Sequence, residues 1–101
     1  MFAQLIEGGT TAEMREEMNR IVTEEMIPAL QEEAGFAGAL NLADDASGDG
    51  LMVVLWETEA QARRALGDYG SAFLRALAGI AGISTGTRRP ISVWSVNAHA
   101  Y

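Results

Sequence analysis

The chain reads as an α+β domain in which four strands and two helical segments alternate as strand, helix, strand, strand, helix, strand. Three observations carry that reading. Leu51-Met52-Val53-Val54-Leu55-Trp56 is an unbroken apolar run, opened by the turn residues Ser47-Gly48-Asp49-Gly50 and closed by Glu57-Thr58. It is too short for a membrane span and β-branched enough for a strand. Two further stretches, after Thr10 and after Thr58, place apolar residues at helical spacing behind a capping-box pattern. The third observation is that apolar residues occupy both faces of the run, and again of the last strand. A strand alternates its side chains, so both faces of the sheet must be dry. A chain of 101 residues has too few elements to cover both faces by itself. The second cover is expected to be another copy of the chain.

Residues 2–7 form the first strand, ended by Gly8-Gly9. In Thr10-Thr11-Ala12-Glu13 the Thr10 hydroxyl and the Glu13 carboxylate are placed to satisfy opposing free backbone donors. Met14, Met18, Ile21, Val22, Met26 and Leu30 then follow at helical spacing. Pro28 removes one amide donor and crowds the carbonyl of Glu24, so a kink or restart is expected there. Gly35 stops the helix. Phe36 to Leu42 is the second strand, residues 44–50 are a polar hairpin loop, and the apolar run is the third strand. Thr58-Glu59-Ala60-Gln61 opens the second helix, which carries Ala62, Ala65, Leu66, Tyr69, Phe73 and Leu77. Gly67 and Gly70 are expected to break or bend it. After Gly79, Gly82 and Gly86, read as loop, Ile91 to Ala98 is the fourth strand, with Ile91 and Val93 on one face and Trp94 and Val96 on the other. This order makes a ferredoxin-like βαββαβ layout, a four-stranded antiparallel sheet with both helices on one face. Residues 1–101 form one domain.

Composition narrows the function classes. Hydrophobic residues at 49% and charged ones at 21% describe a globular chain. A net charge of −7, no lysine, and arginines at most paired (Arg63-Arg64, Arg88-Arg89) argue against a nucleic-acid partner. With no cysteine there is no disulfide, thiolate nucleophile or Cys-based zinc site. One histidine and dispersed carboxylates supply no metal set, and no glycine pattern cradles a phosphate. The start lacks a basic n-region and no apolar run is long enough to span, so the expected location is cytoplasmic, with no membrane partner. Residues 13–33 hold seven Glu and two Arg, which reads as a solvated helix face supported by Glu16 and Arg20 four residues apart.

Ile27-Pro28-Ala29-Leu30, continuing through Glu33-Ala34-Gly35-Phe36-Ala37-Gly38, resembles the kinked first helix and following strand of the antibiotic biosynthesis monooxygenase (ABM) family. Leu51 to Trp56 with Glu57-Thr58-Glu59-Ala60 resembles that family's third strand, its exit and its second helix. The resemblance implies a homodimeric α/β barrel, two sheets packed face to face. It also implies a cofactor-independent monooxygenase, without haem, flavin or metal, acting on a small aromatic, quinol or polyketide-like molecule in an apolar pocket between sheet and helices. Two alternatives share the fold: a non-catalytic ligand-binding or accessory dimer, and a polyketide cyclase or isomerase. The haem-degrading relatives use an Asn in the first strand and a Trp and His on the second helix. Residues 2–8 contain no Asn, the helix Trp falls at Ala65, and the His falls near Arg75 to Leu77. Where quinol monooxygenases often carry a His, this chain has Asp68-Tyr69-Gly70-Ser71.

The candidate substrate-binding residues are Trp56, Tyr69, Phe73, Leu77 and Trp94. Positions 69, 73 and 77 repeat every four residues and are expected to share one helix face, with Trp56 or Trp94 on the floor. The ordinary role of Trp56 is to anchor the strand end, and that of Phe73 and Leu77 is core. The catalytic candidates are Tyr69, whose phenol suits a substrate oxygen, His99, the one side chain with a near-neutral intrinsic pKa, and Asn41, whose amide suits a carbonyl or dioxygen. His99 reads more simply as a mobile or surface residue, Asn41 as a strand-end residue near the loop, and Asn97 as a solvent-facing one. The functional reading of His99 needs a face-to-face dimer whose C-terminal strand reaches the partner, which would put His99 or Tyr101 near a pocket mouth. The Met14, Met18, Met26 stripe is core, of a kind that adapts to a flat aromatic ligand.

Overall fold

The computed structural model describes residues 1–84 and 91–100, so Gly86, Arg88, Arg89 and Tyr101 lie outside the described residues. Strand β1 (Phe2–Gly9) pairs antiparallel with β3 (Asp49–Trp56) on one side and with β4 (Ser92–Ser95) on the other. Strand β2 (Phe36–Ala43) closes the far edge against β3, which gives the sheet order β2-β3-β1-β4. This is the ferredoxin-like arrangement. Gly8 and Gly9 do not end β1 as expected. They continue it opposite Gly50 and Asp49, in a contact so close that a Cβ on Gly9 would meet the Gly48 carbonyl oxygen at 2.5 Å. The fourth strand is shorter than the expected 91–98, since only Ser92–Ser95 pair with β1.

The first helical segment starts one residue later than the capping pattern suggests. The Thr11 hydroxyl accepts from the Met14 amide and opens a 3-10 turn, Ala12–Met14. Thr10 is buried, and its hydroxyl donates to the Ile83 carbonyl at 2.7 Å. Helix α1 (Arg15–Ile21) then passes through a π turn (Val22–Met26) into α2 (Ile27–Gln31). Pro28 explains the π turn. It has no N–H for the Glu24 carbonyl, and the widened turn is closed instead by the Ile27 amide bonding to the Val22 carbonyl. Arg20 pairs with Glu17 at 2.6 Å and with Glu24 and Glu25 at 3.4 Å, not with Glu16.

A full capping box at Thr58 and Gln61 starts α3 (Glu59–Ala62). The chain then breaks through a 3-10 turn (Leu66–Tyr69) and restarts after Gly70, at φ +89°, as α4 (Ser71–Ile83). Gly79 and Gly82 belong to this helix, not to a loop. Gly79 lets α4 approach α1, because a Cβ there would already touch Ile21 at 3.4 Å.

Both helical segments cover one sheet face. There Met52, Val54 and Trp56 meet Ile21, Val22, Met26, Leu30, Tyr69, Phe73 and Ala76 in a single buried core. By register and alternation the opposite face carries Leu5, Leu40, Leu42, Val53, Leu55 and Trp94. Trp94 is 60% exposed, Leu40 55% and Leu42 47%, so the protomer leaves a broad apolar surface bare. Among the described residues no helix is long and apolar enough to cross a membrane.

Candidate functional site

A cavity of about 570 Å³ lies between the helices and the hairpin end of the sheet. One helical wall is a single stripe of α1 and the π turn: Arg15, Met18, Asn19, Val22 and Met26. Their spacing puts them on one face, polar at the N-terminal end and apolar further in. The second wall is Leu77, Ile80, Ala81 and Ser84 at the far end of α4. The sheet supplies Ile6, Met52 and Asn41. Asn41 sits opposite Met52 in the β2–β3 register and so faces the helices. Three methionines among these walls make the lining adaptable to a flat ligand.

Polar groups gather at the mouth. The Asn41 amide nitrogen donates to the Asn19 side-chain oxygen at 3.4 Å. The Arg15 guanidinium forms an ion pair with Asp45 of the β2–β3 hairpin at 3.2 Å, and it donates to the Asp45 carbonyl at 3.4 Å. Glu7 and Asp49 border the cavity, but Ile6 and Met52 face the helices. Alternation therefore turns the Glu7 and Asp49 side chains toward the other sheet face. Among the described residues, no three His, Cys, Asp or Glu side chains converge as metal ligands would.

The sequence candidates separate into three groups. Asn41 and Leu77 line the cavity. Trp56, Tyr69 and Phe73 do not, being 1%, 4% and 1% exposed in the core. The Trp56 and Tyr69 rings stack at 5.6 Å, and Phe73 meets Tyr69 edge-on at 4.9 Å. The Trp56 indole N–H donates to the Gln4 side-chain oxygen at 3.1 Å, and the Tyr69 hydroxyl donates weakly to the Gln61 carbonyl at 3.5 Å. Burial pushes the Tyr69 phenol up, against a hydrogen bond with Gln4 and the nearby Arg64 charge. Trp94 lies on the bare sheet face, its N–H donating to the Ser92 hydroxyl at 2.9 Å, and His99 is exposed outside the cavity walls. The expected shared face of residues 69, 73 and 77 fails because α4 begins only at Ser71, so Tyr69 belongs to a separate turn. Sequence reasoning missed Arg15 and Asn19. Their signal was present: two polar residues interrupting the apolar stripe that runs through Met18, Val22 and Met26.

No family model and no curated protein matches this chain. Solved structures do. A proposed antibiotic biosynthesis monooxygenase from Bordetella bronchiseptica superposes with a TM-score of 0.76 at 12% identity, covering 96% of this chain and 97% of that one. SnoaB, a cofactor-independent oxygenase from Streptomyces nogalater, gives 0.73 at 14% identity, covering 97% and 95%. A second proposed antibiotic biosynthesis monooxygenase, from Nitrosomonas europaea, gives 0.75 at 11% identity, covering 97% and 100%. At such identities the likeness establishes the fold alone, and that fold is shared over nearly the whole of each chain.

Proposed function

We propose that this protein is a cofactor-independent monooxygenase, working as a homodimer on a small aromatic, quinol or polyketide-like substrate. The observation that carries the reading is the cavity, which is apolar and methionine-rich inside and lined with amides at its mouth. Its volume of about 570 Å³ lies within the range of small-molecule sites. The architecture shared with a cofactor-independent oxygenase supports the same reading. For an anthrone, the methylene carbon gives up two hydrogens and takes one oxygen atom as a carbonyl, while the second oxygen leaves as water. The substrate thus supplies all four electrons, and the protein supplies shape, hydrogen bonds and a dry surround. In this reading the Asn41 and Asn19 amides, which line the cavity, hold the substrate's oxygen substituent where charge develops.

The alternative of a ligand-binding or accessory dimer draws on one specific observation. No imidazole lines the cavity, and its two bordering carboxylates face the other side of the sheet. Oxygen uptake with a panel of quinols and anthrones separates the two readings. An oxygenase consumes oxygen and forms the carbonyl product, and Ala81→Trp, which fills the cavity from its α4 wall, abolishes turnover. Binding of the panel without oxygen uptake would favour the accessory dimer. Turnover unaffected by Ala81→Trp would remove this cavity as the site.

A further inference from the structure

The geometry points to a weakly acidic aromatic ligand, a phenol or enol, whose oxyanion is held by Arg15 at the cavity mouth. This deepens the proposed function, resting on the reading that the cavity takes a small aromatic molecule and adding which end of it is recognised. The cavity is polarised along one helix face. Val22 and Met26 line its apolar depth, Met18 and Asn19 come next, and Arg15 stands at the opening. Arg15 and Asn19 are four residues apart, so their β-carbons are about 6 Å from each other. A molecule seated against the methionines therefore presents its outer substituent to a guanidinium and an amide together.

Arg15 is the only basic side chain lining this cavity among the described residues. Its side chain is 30% exposed, and its ion-pair partner Asp45 is 82% exposed. An exposed partner on a hairpin tip is cheaply displaced or shared, since such surface pairs contribute little. A guanidinium carries five N–H donors, and two contacts of 3.2 and 3.4 Å leave donors for a ligand oxygen.

The charges around Arg15 define the ligand further. Asp45 faces it from the hairpin and Glu16 adjoins it on the helix, whereas the Glu7 and Asp49 side chains turn to the other sheet face. With Asp45 and Glu16 beside Arg15 and a net charge of −7 over the whole chain, the protein's field disfavours a ligand that arrives as a multiply charged anion. A phenol or enol arrives neutral. Its O–H then breaks heterolytically, the electron pair stays on oxygen, and the proton leaves to water through the mouth. Arg15 takes no part in that transfer, because it stays protonated. It stabilises the anion left behind and so lowers the ligand's pKa. An electron-rich phenolate is the form that reacts with oxygen, so the same contact would favour turnover.

A nitronaphthol, whose anion is coloured, tests this in a spectrophotometric titration with the purified protein, occupancy being followed by equilibrium dialysis. The bound probe is expected to ionise about one pH unit below the free one, a tenfold preference for the anion, as a charge-assisted hydrogen bond provides. Arg15→Gln should abolish that preference while the neutral probe still binds, and Arg15→Lys should restore part of it. Asp45→Asn, which removes the competing carboxylate from an exposed hairpin, should enlarge it. Equal probe pKa values in the native and Arg15→Gln proteins, or binding untouched by Ala81→Trp, would overturn the assignment. Failure of the probe to bind at any pH would overturn it together with the aromatic-cavity reading, whereas binding without an Arg15-dependent shift would leave that reading standing.

Discussion

Gln4 is 1% exposed and is one of only two buried polar side chains among the described residues, the other being Thr10. It faces the helices between Val54 and Val93 and accepts from the Trp56 indole. The indole cannot be hydrated at 1% exposure, so Gln4 is what makes a buried Trp tolerable at the end of β3. Gln4→Leu should cost about 1–3 kcal/mol in a urea melt, because it leaves a buried donor unmatched. Trp56→Phe in the same protein should recover part of that loss, since both partners are then apolar. Tyr69, stacked on Trp56, gives a pH signature. Burial raises its phenol above the unfolded value of about 10. The neutral form is therefore favoured in the native state, and its contribution is complete below the unfolded pKa. It declines as the pH rises through the raised folded value. The native protein should lose stability in that alkaline window faster than Tyr69→Phe does, as measured by urea midpoints across the range. Trp56 was legible in the sequence as a strand anchor, and its environment agrees. Tyr69 was not, because nothing in a one-letter string shows that Gly70 at φ +89° swings the preceding turn inward onto Trp56.

The elements were legible where a local signal is unambiguous. The apolar run gave β3, the Thr58 capping box gave the start of α3, and Pro28 marked a disturbed helix. What no local signal carried was the form of each disturbance. Pro28 produces a π turn that keeps one continuous stripe facing the cavity, whereas the second helix is cut in two, and its far half supplies the opposite wall. The cavity therefore sits at the hairpin end of the sheet, and not beside residues 69 and 73 as their spacing suggested. Gly35 shows how the helix ends are coupled. It terminates the first helical segment at φ +82°, and its carbonyl accepts from the Glu57 amide at 2.9 Å. A Cβ there would fall within 1.9 Å of the Gln61 side chain, which completes the α3 capping box. Gly35→Ala should cost about 1–2 kcal/mol from the left-handed backbone alone, and more from the displaced Gln61. In a Gln61→Ala background the excess should disappear and the backbone cost remain. A double-mutant cycle in denaturant measures that coupling, and purely additive losses would show that the two ends are independent.

At the scale of the whole molecule, the apolar face opposite the helices sets the expectation. Leu40, Leu42 and Trp94 are about half exposed in the protomer, and Leu5, Leu51, Val53 and Leu55 fill the space between them on the same side. Contiguous apolar surface of that extent is rare on proteins that work as monomers. The register also settles which of two neighbouring valines tests the point. Val54 faces the helices at 0% exposure, so a charge there would break the core. Val53 pairs with Leu5 and Leu40 on the bare side. We therefore expect a homodimer through this face, burying on the order of 2,000 Å² in total. Val53→Asp should dissociate it by placing an unpaired charge at the centre of a dry surface. Light scattering should give about twice the protomer mass of 10.8 kDa for the native protein. Val53→Asp should give the protomer mass, or an aggregate if the exposed face cannot remain bare. A native protein that scatters as a 10.8 kDa monomer at micromolar concentration would end the barrel reading and leave the apolar face without an occupant of its own kind.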